Sequence, residues 1–174
     1  MKLDILSEVT CQLKDVVRTG WELRGIKNPE SVADHSYGLC LLTLMLCPTE
    51  LDRLKCLEFA IVHDLAESIT GDHVPAENIL PADKHNAEMQ AIESISQLAD
   101  CPRLVDLFAE YERQDTPEAV FIKQMDKLDM VLQARYYDRH GRCNYYQNGK
   151  KYHSLFEEFS TGAGTFIEDI LQKL

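Results

Sequence analysis

With 174 residues, 45% of them hydrophobic and 27% charged, the chain has the size and balance of one soluble globular domain with a full core. A net charge of −11 argues against nucleic-acid backbones and anionic membranes as partners. No uninterrupted apolar run approaches the roughly 20 residues that span a bilayer.

Read in chain order, nearly every segment has helical pattern. The opening stretch, MKLDILSEVTCQLKD, carries charges inside its apolar pattern, so it reads as an amphipathic helix over 3–18 and not as a signal peptide. A second helix is expected over 31–47, where Ser31 and Asp34 have capping-box spacing. Thr49 and Asp52 repeat that spacing before a third helix over 50–69, which Gly71 would end. An irregular connection follows across 72–83, then helices over 83–99, 103–113, 117–139 and 152–173. Thr116-Pro117-Glu118 marks the start of the sixth with a cap residue, a proline and an acid. The fold class expected is all-α, a compact helical bundle. The segment 139–153 is locally basic and rich in tyrosine; its glycines and Asn148 suit a solvated loop.

Six cysteines (Cys11, Cys40, Cys47, Cys56, Cys101 and Cys143) form no CxxC pair, which leaves a thiolate metal site or a thioredoxin-like motif unsupported. Cys40 and Cys47 lie in apolar helix pattern and read as small core residues. Reduced thiols and the absence of a leader pattern together predict a cytoplasmic protein.

The stretch FAIVHDLAESITGDHVP sets His63 and Asp64 in an apolar run, where ionisable groups are costly unless paired or bound to a metal. On a continuous helix, Glu67 would share a face with His63, about 40° round the axis. His35, in the first turns of an apolar helix, could supply a third ligand. Asp126 lies beside Met125 on the stripe Ile122, Met125, Leu128 and Leu132, at its buried edge. Asp129 sits one turn on, along a neighbouring edge, and is the poorer ligand candidate; solvated pairing with Lys123 and Lys127 is the bland alternative for both acids. Two histidines and two aspartates make a mixed nitrogen and oxygen set that suits a divalent first-row metal. Such a metal would also offset the acidic chain for an anionic substrate, and Glu67 or Asp72 could move protons beside it.

The ordered set His35, His63-Asp64 and Asp126 resembles the HD-domain metal-dependent phosphohydrolases. The blocks RTGWELRGIKNPESVADHS, HDLAESITGDHVP and KQMDKLDM look like the 5′-deoxynucleotidase branch of that superfamily. The resemblance implies a single HD domain over 1–174. It implies one divalent metal, cobalt, manganese or a related ion, held by His35, His63, Asp64 and Asp126. It also implies catalytic roles for Glu67, in activating or positioning water, and for Asp72, in handling water, leaving group or sugar. Arg18 and Trp21 fall where such enzymes contact phosphate and sugar, with Arg24 as a substitute phosphate contact. The expected activity is hydrolysis of deoxyribonucleoside 5′-monophosphates by attack of metal-bound water, in a cytoplasmic homodimer. Hydrolysis of another nucleotide, a phosphodiester or a triphosphate, is the enzymatic alternative, and a metal-containing nucleotide-binding module the non-enzymatic one. His73 stands outside this assignment and is expected to be exposed.

Overall fold

A computed structural model describes residues 3–74, 79–143, 146–147, 150–151 and 154–172. Its helices are α1 (Leu3–Asp15), α2 (Thr19–Leu23), α3 (Val32–Leu46), α4 (Arg53–Val62), α5 (Glu67–Thr70), α6 (Pro81–Ala99), α7 (Arg103–Arg113), α8 (Pro117–Arg139), α9 (Leu155–Ser160) and α10 (Thr165–Leu171). A two-residue antiparallel pairing, Tyr146–Gln147 with Lys150–Lys151, is the one strand pair among the described residues. The chain is all-α, as its pattern predicts.

Helix α8 is the axis of the bundle. Thr116 caps it, accepting from the Ala119 amide, and Pro117 supplies a first residue with no amide hydrogen to leave unpaired. Ile122, Met125, Leu128 and Val131 on α8 are fully buried. They meet Leu39 of α3, Cys56 and Phe59 of α4 and Ile167 of α10 in the main core. A second core gathers Trp21, Ile26, Ala134, Tyr137 and Leu155, and a third Ala66, Ala91, Ile92 and Phe108. Phe59 and Met125 each bury a whole side chain, worth about 1.5–3 kcal/mol apiece.

The capping box at Ser31 is present in full: its hydroxyl accepts from the Asp34 amide, and Asp34 Oδ2 accepts from the Ser31 amide at 2.9 Å. At α4 the cap is Asp52 and not Thr49, because Asp52 Oδ1 accepts from both the Leu54 and Lys55 amides, so the helix starts at Arg53.

Three boundaries differ from the periodicity in ways that shape the site. The helix expected over 50–69 ends at Val62. The Ala60 carbonyl accepts from His63 Nδ1 at 2.9 Å, taking the place that the Asp64 amide would fill in a continuing helix. Tight turns follow, Leu65 to Val62 and Glu67 to Asp64, before α5 resumes. His63 and Glu67 are therefore not neighbours on one regular helix. Between α1 and α3, the short helix α2 replaces an expected connection; Thr19 donates its amide to Asp72 Oδ2 at 2.5 Å and its hydroxyl to the Asp72 carbonyl at 2.6 Å. The helix expected over 152–173 splits into α9 and α10 at Gly162 and Gly164, with φ of 74° and 106°. Elsewhere α1 ends at Asp15, and α6 begins at Pro81.

Of the basic segment at 139–153, Arg139 and His140 are exposed, the His140 ring stacks on Tyr136, and Arg142 donates to the Asn28 carbonyl at 3.2 Å. Residues 144–145, 148–149 and 152–153 of that segment lie outside the described residues.

Candidate metal centre and its cavity

Four elements converge on one point. Helix α3 contributes His35 from its first turn, the end of α4 contributes His63, the turn after it Asp64, and the middle of α8 Asp126. The two imidazoles are buried, His35 at 0% exposure and His63 at 6%. Their Nε2 atoms face each other at 3.2 Å. Asp64 Oδ2 stands 3.0 Å from His63 Nε2 and 3.6 Å from His35 Nε2, and Asp126 Oδ1 stands 3.4 Å from His35 Nε2.

The outer nitrogens decide what this cluster wants. His63 Nδ1 faces the Ala60 carbonyl at 2.9 Å, and His35 Nδ1 faces Asp129 Oδ2 at 2.8 Å. A carbonyl and a carboxylate only accept, so each Nδ1 carries the hydrogen and each neutral ring turns a bare Nε2 lone pair inward. Two lone pairs and two carboxylate oxygens then meet with no donor between them. Such a set is satisfied by a cation, and its nitrogen and oxygen donors suit a divalent first-row metal. Among the described residues, His35, His63 and Asp126 form a group able to surround one ion.

With no metal the same geometry collects protons. Burial alone would lower the His35 pKa, but hydrogen bonds to Asp126 and Asp129 raise it from 6.5 to about 9. Burial opposes ionisation of Asp64 and Asp126 too, yet the facing histidines, with Arg18 beside Asp64 and Lys123 beside Asp126, hold both carboxyls well below the usual carboxylate range.

The centre forms one end of a cavity of about 580 Å³, a size typical of small-molecule sites. Glu67 lines it at 5% exposure, and its Oε2 has no hydrogen-bond partner among the described residues. Burial, then repulsion from Asp64 and Asp72, raises the Glu67 pKa from 4.5 to about 10. Asp72 also lines the cavity while it anchors Thr19. Arg18 Nη1 lies 3.5 Å from Asp64 Oδ2, and Lys123 Nζ lies 3.0 Å from Asp126 Oδ2, so a cation flanks each of these aspartates. Arg18 is brought here by an isolated bridge between Val17 and Ser31, in which its amide donates to the Glu30 carbonyl.

Trp21 and Arg24 line the cavity but are committed elsewhere. Trp21 is 2% exposed, meets Tyr137 and Phe159 edge-on, and donates from Nε1 to Glu30 Oε1 at 2.8 Å. Its first role is packing. Arg24 donates to Glu158 Oε1 at 2.6 Å and to the Gly20 carbonyl, and its guanidinium covers the Phe159 ring. Leu23, Val74, Met130 and Phe159 complete an apolar wall. His73 is half-buried, not exposed as expected, and its carbonyl accepts from Lys84 Nζ at 3.3 Å.

The sequence reading ranks Asp129 below Asp126 as a ligand and does not foresee its bond to His35, and it does not assign Lys123 or Phe159 to the cavity. The spacing of Asp126 and Asp129, three residues apart on one helix, was the signal that both could reach the same site.

An HD domain family model matches residues 10–165. A 5′-deoxynucleotidase of Schizosaccharomyces pombe, hdd1, is 40% identical across 98% of this chain and 83% of its own length. The 5′-deoxynucleotidase HDDC2 of Danio rerio is 43% identical across 73% of this chain, an alignment that spans 65% of the zebrafish protein. A crystal structure of a protein from Pyrococcus horikoshii OT3 superposes with a TM-score of 0.77 at 32% identity, covering 99% of this chain and 97% of that one.

Proposed function

The chain belongs to the HD-domain family, and from that premise we propose that it is a phosphomonoesterase converting deoxyribonucleoside 5′-monophosphates to deoxynucleoside and phosphate. The observation that carries this reading is the junction of a cation-seeking His35–His63–Asp126 cluster, with Asp64 Oδ2 3.0 Å from His63 Nε2, and a cavity that offers cationic side chains and an apolar wall. One divalent ion, cobalt, manganese or a relative, fits those four residues, and when bound it polarises a phosphoryl oxygen and acidifies water.

The side chains divide the remaining work. Arg18 binds the phosphate, its guanidinium suited to paired charged hydrogen bonds. Glu67, buried at the cavity wall, orients the attacking water; a cation in the centre would favour its ionised form and so let it take the water's proton. Asp72, fixed by Thr19, lies on the same wall and handles the sugar side of the leaving oxygen. Met130, Phe159 and the rim of Trp21 offer the apolar surface for sugar and base. No serine, threonine or cysteine nucleophile is needed, and the phosphoryl group passes directly to water.

We also place the protein in the cytoplasm as a homodimer. All six cysteines are unpaired, which suits a reducing compartment. Beyond its first turn helix α3 is mostly apolar and exposes Tyr37, Leu41, Leu44 and Met45, a face that a second copy would cover. No helix among the described residues is long and apolar enough to cross a membrane.

A phosphate-release screen of deoxy- and ribonucleoside monophosphates, crossed with divalent metals, tests the activity. The expected products are free phosphate and deoxynucleoside in the presence of manganese or cobalt. Release confined to triphosphates or cyclic nucleotides would overturn the substrate assignment.

A further inference from the structure

Helix α3 contains one glycine, Gly38, in its interior. A mid-helix glycine costs about 1 kcal/mol relative to alanine. Its φ is not positive, so backbone freedom does not explain it. The space beside it does. A Cβ on Gly38 would stand 2.5 Å from Asp129 Oδ1, closer than any ordinary contact. The other oxygen of the same carboxylate accepts from His35 Nδ1 at 2.8 Å.

We infer that Asp129 and Gly38 form one positioning device for His35: the carboxylate of α8 keeps the proton on Nδ1 and aims Nε2 inward, and the missing Cβ on α3 makes room for that carboxylate. The inference rests on the metal-centre reading above. Its physical basis is the orientation of ligand histidines by a partner behind them, which fixes tautomer and ring angle together.

The two histidines are oriented by different means. His63 leans on the Ala60 carbonyl of its own helix, so its geometry is local. His35 is held by another helix, and that helix also carries Asp126 one turn earlier. The bond to Asp129 therefore sets α3 and α8 in register at the place where each supplies a ligand. Glu30, which has a carboxylate oxygen within 4.8 Å of the same two groups, is no substitute. Its Oε1 already accepts from Trp21 Nε1, and its backbone amide donates to the Tyr137 hydroxyl.

The test is cobalt or manganese affinity, measured by chelator competition on the metal-free full chain, together with its unfolding midpoint. Asp129→Ala removes the acceptor and should weaken metal binding about 10- to 100-fold. Asp129→Asn keeps a carbonyl acceptor and should lose less. Gly38→Ala is the decisive variant, because the group it displaces is the carboxylate that holds His35. Metal affinity should fall toward that of Asp129→Ala, and the metal-free protein should lose the part of its stability that the His35–Asp129 bond supplies, offset in part by alanine's helix propensity. A purely structural glycine would instead destabilise the Asp129→Ala protein as much as the unsubstituted one. The Gly38→Ala/Asp129→Ala double variant should bind no more weakly than Asp129→Ala, since both changes act through one contact. Wild-type affinity in Asp129→Ala and Gly38→Ala, or additive losses in the double variant, would overturn this inference alone. An unsubstituted protein that takes up neither metal would overturn it together with the metal centre.

Discussion

Replacing Glu67 with glutamine should stabilise the metal-free protein and inactivate the enzyme. The Glu67 carboxyl is buried beside Asp64 and Asp72, and its pKa stands near 10 in the folded chain against 4.5 ordinarily. Between those values the folded state binds one proton more than the unfolded state. The sign follows: unfolding releases that proton, so stability falls as pH rises through the window, by at most about 1.4 kcal/mol per unit. Glutamine has nothing to titrate. The stability gained by Glu67→Gln should therefore widen with pH, by up to about 3 kcal/mol between pH values of about 5.5 and 8. Urea unfolding of both proteins in chelator, at the two pH values, reads this difference directly. With manganese present, phosphate release by the variant should drop about 10²- to 10⁴-fold, the usual worth of a positioned acid or base. A stability difference that does not change with pH would refute the burial argument. Normal turnover would refute the catalytic one.

Two further outcomes rest on the same geometry. Ser31→Ala removes half of the capping box in front of His35 and should cost about 1 kcal/mol in urea unfolding, with an equal loss in metal-free and metal-loaded protein. The His35 pKa is raised from 6.5 to about 9, so its contribution to metal-free stability is full below 6.5 and is lost as pH rises through 9. A saturating divalent ion takes the place of that proton. Thermal melts across this range should lose the His35 share of the slope when cobalt is added, and the ion at about a hundred times its Kd should add about 2.7 kcal/mol. An unchanged slope with cobalt would show that the ion binds elsewhere.

What could be read from the sequence follows the range of the interactions involved. The capping box at Ser31, the proline start of α8 and the stripe of Ile122, Met125 and Leu128 are local, and the structure contains all three. His35, His63, Asp64 and Asp126 were legible as candidates because charged groups in apolar pattern demand a reason to be there. Helix α2 was not legible, because the carboxylate that receives its first amide comes from Asp72, far along the chain. The break after Val62 was hidden for a different reason. Residues 59–70 have unbroken helical pattern, and only the capture of the Ala60 carbonyl by the His63 ring reveals the turn. The bond from Asp129 to His35 lies beyond periodicity, which places Asp129 on an edge of α8 and does not say which helix packs against that edge.

The end of α4 carries two of the four candidate ligands: Asp64 directly follows His63, and its Oδ2 stands 3.0 Å from His63 Nε2. The same centre bears on how an acidic chain holds a phosphate. Asp64, Glu67, Asp72 and Asp126 line the cavity against Arg18, Arg24, Lys123 and Lys127, so its walls carry no clear excess of positive charge. Arg24 is spent on Glu158, while Arg18 and Lys123 sit against the two aspartates of the centre. A divalent ion among His35, His63, Asp64 and Asp126 would change the balance twice over: it would add its own charge, and it would take up the carboxylates that now hold Arg18 and Lys123. On the proposed assignment, phosphate affinity in this cavity should therefore depend on a filled metal centre, and the cluster that resolves the buried His-Asp pair would also supply the charge that admits the anion.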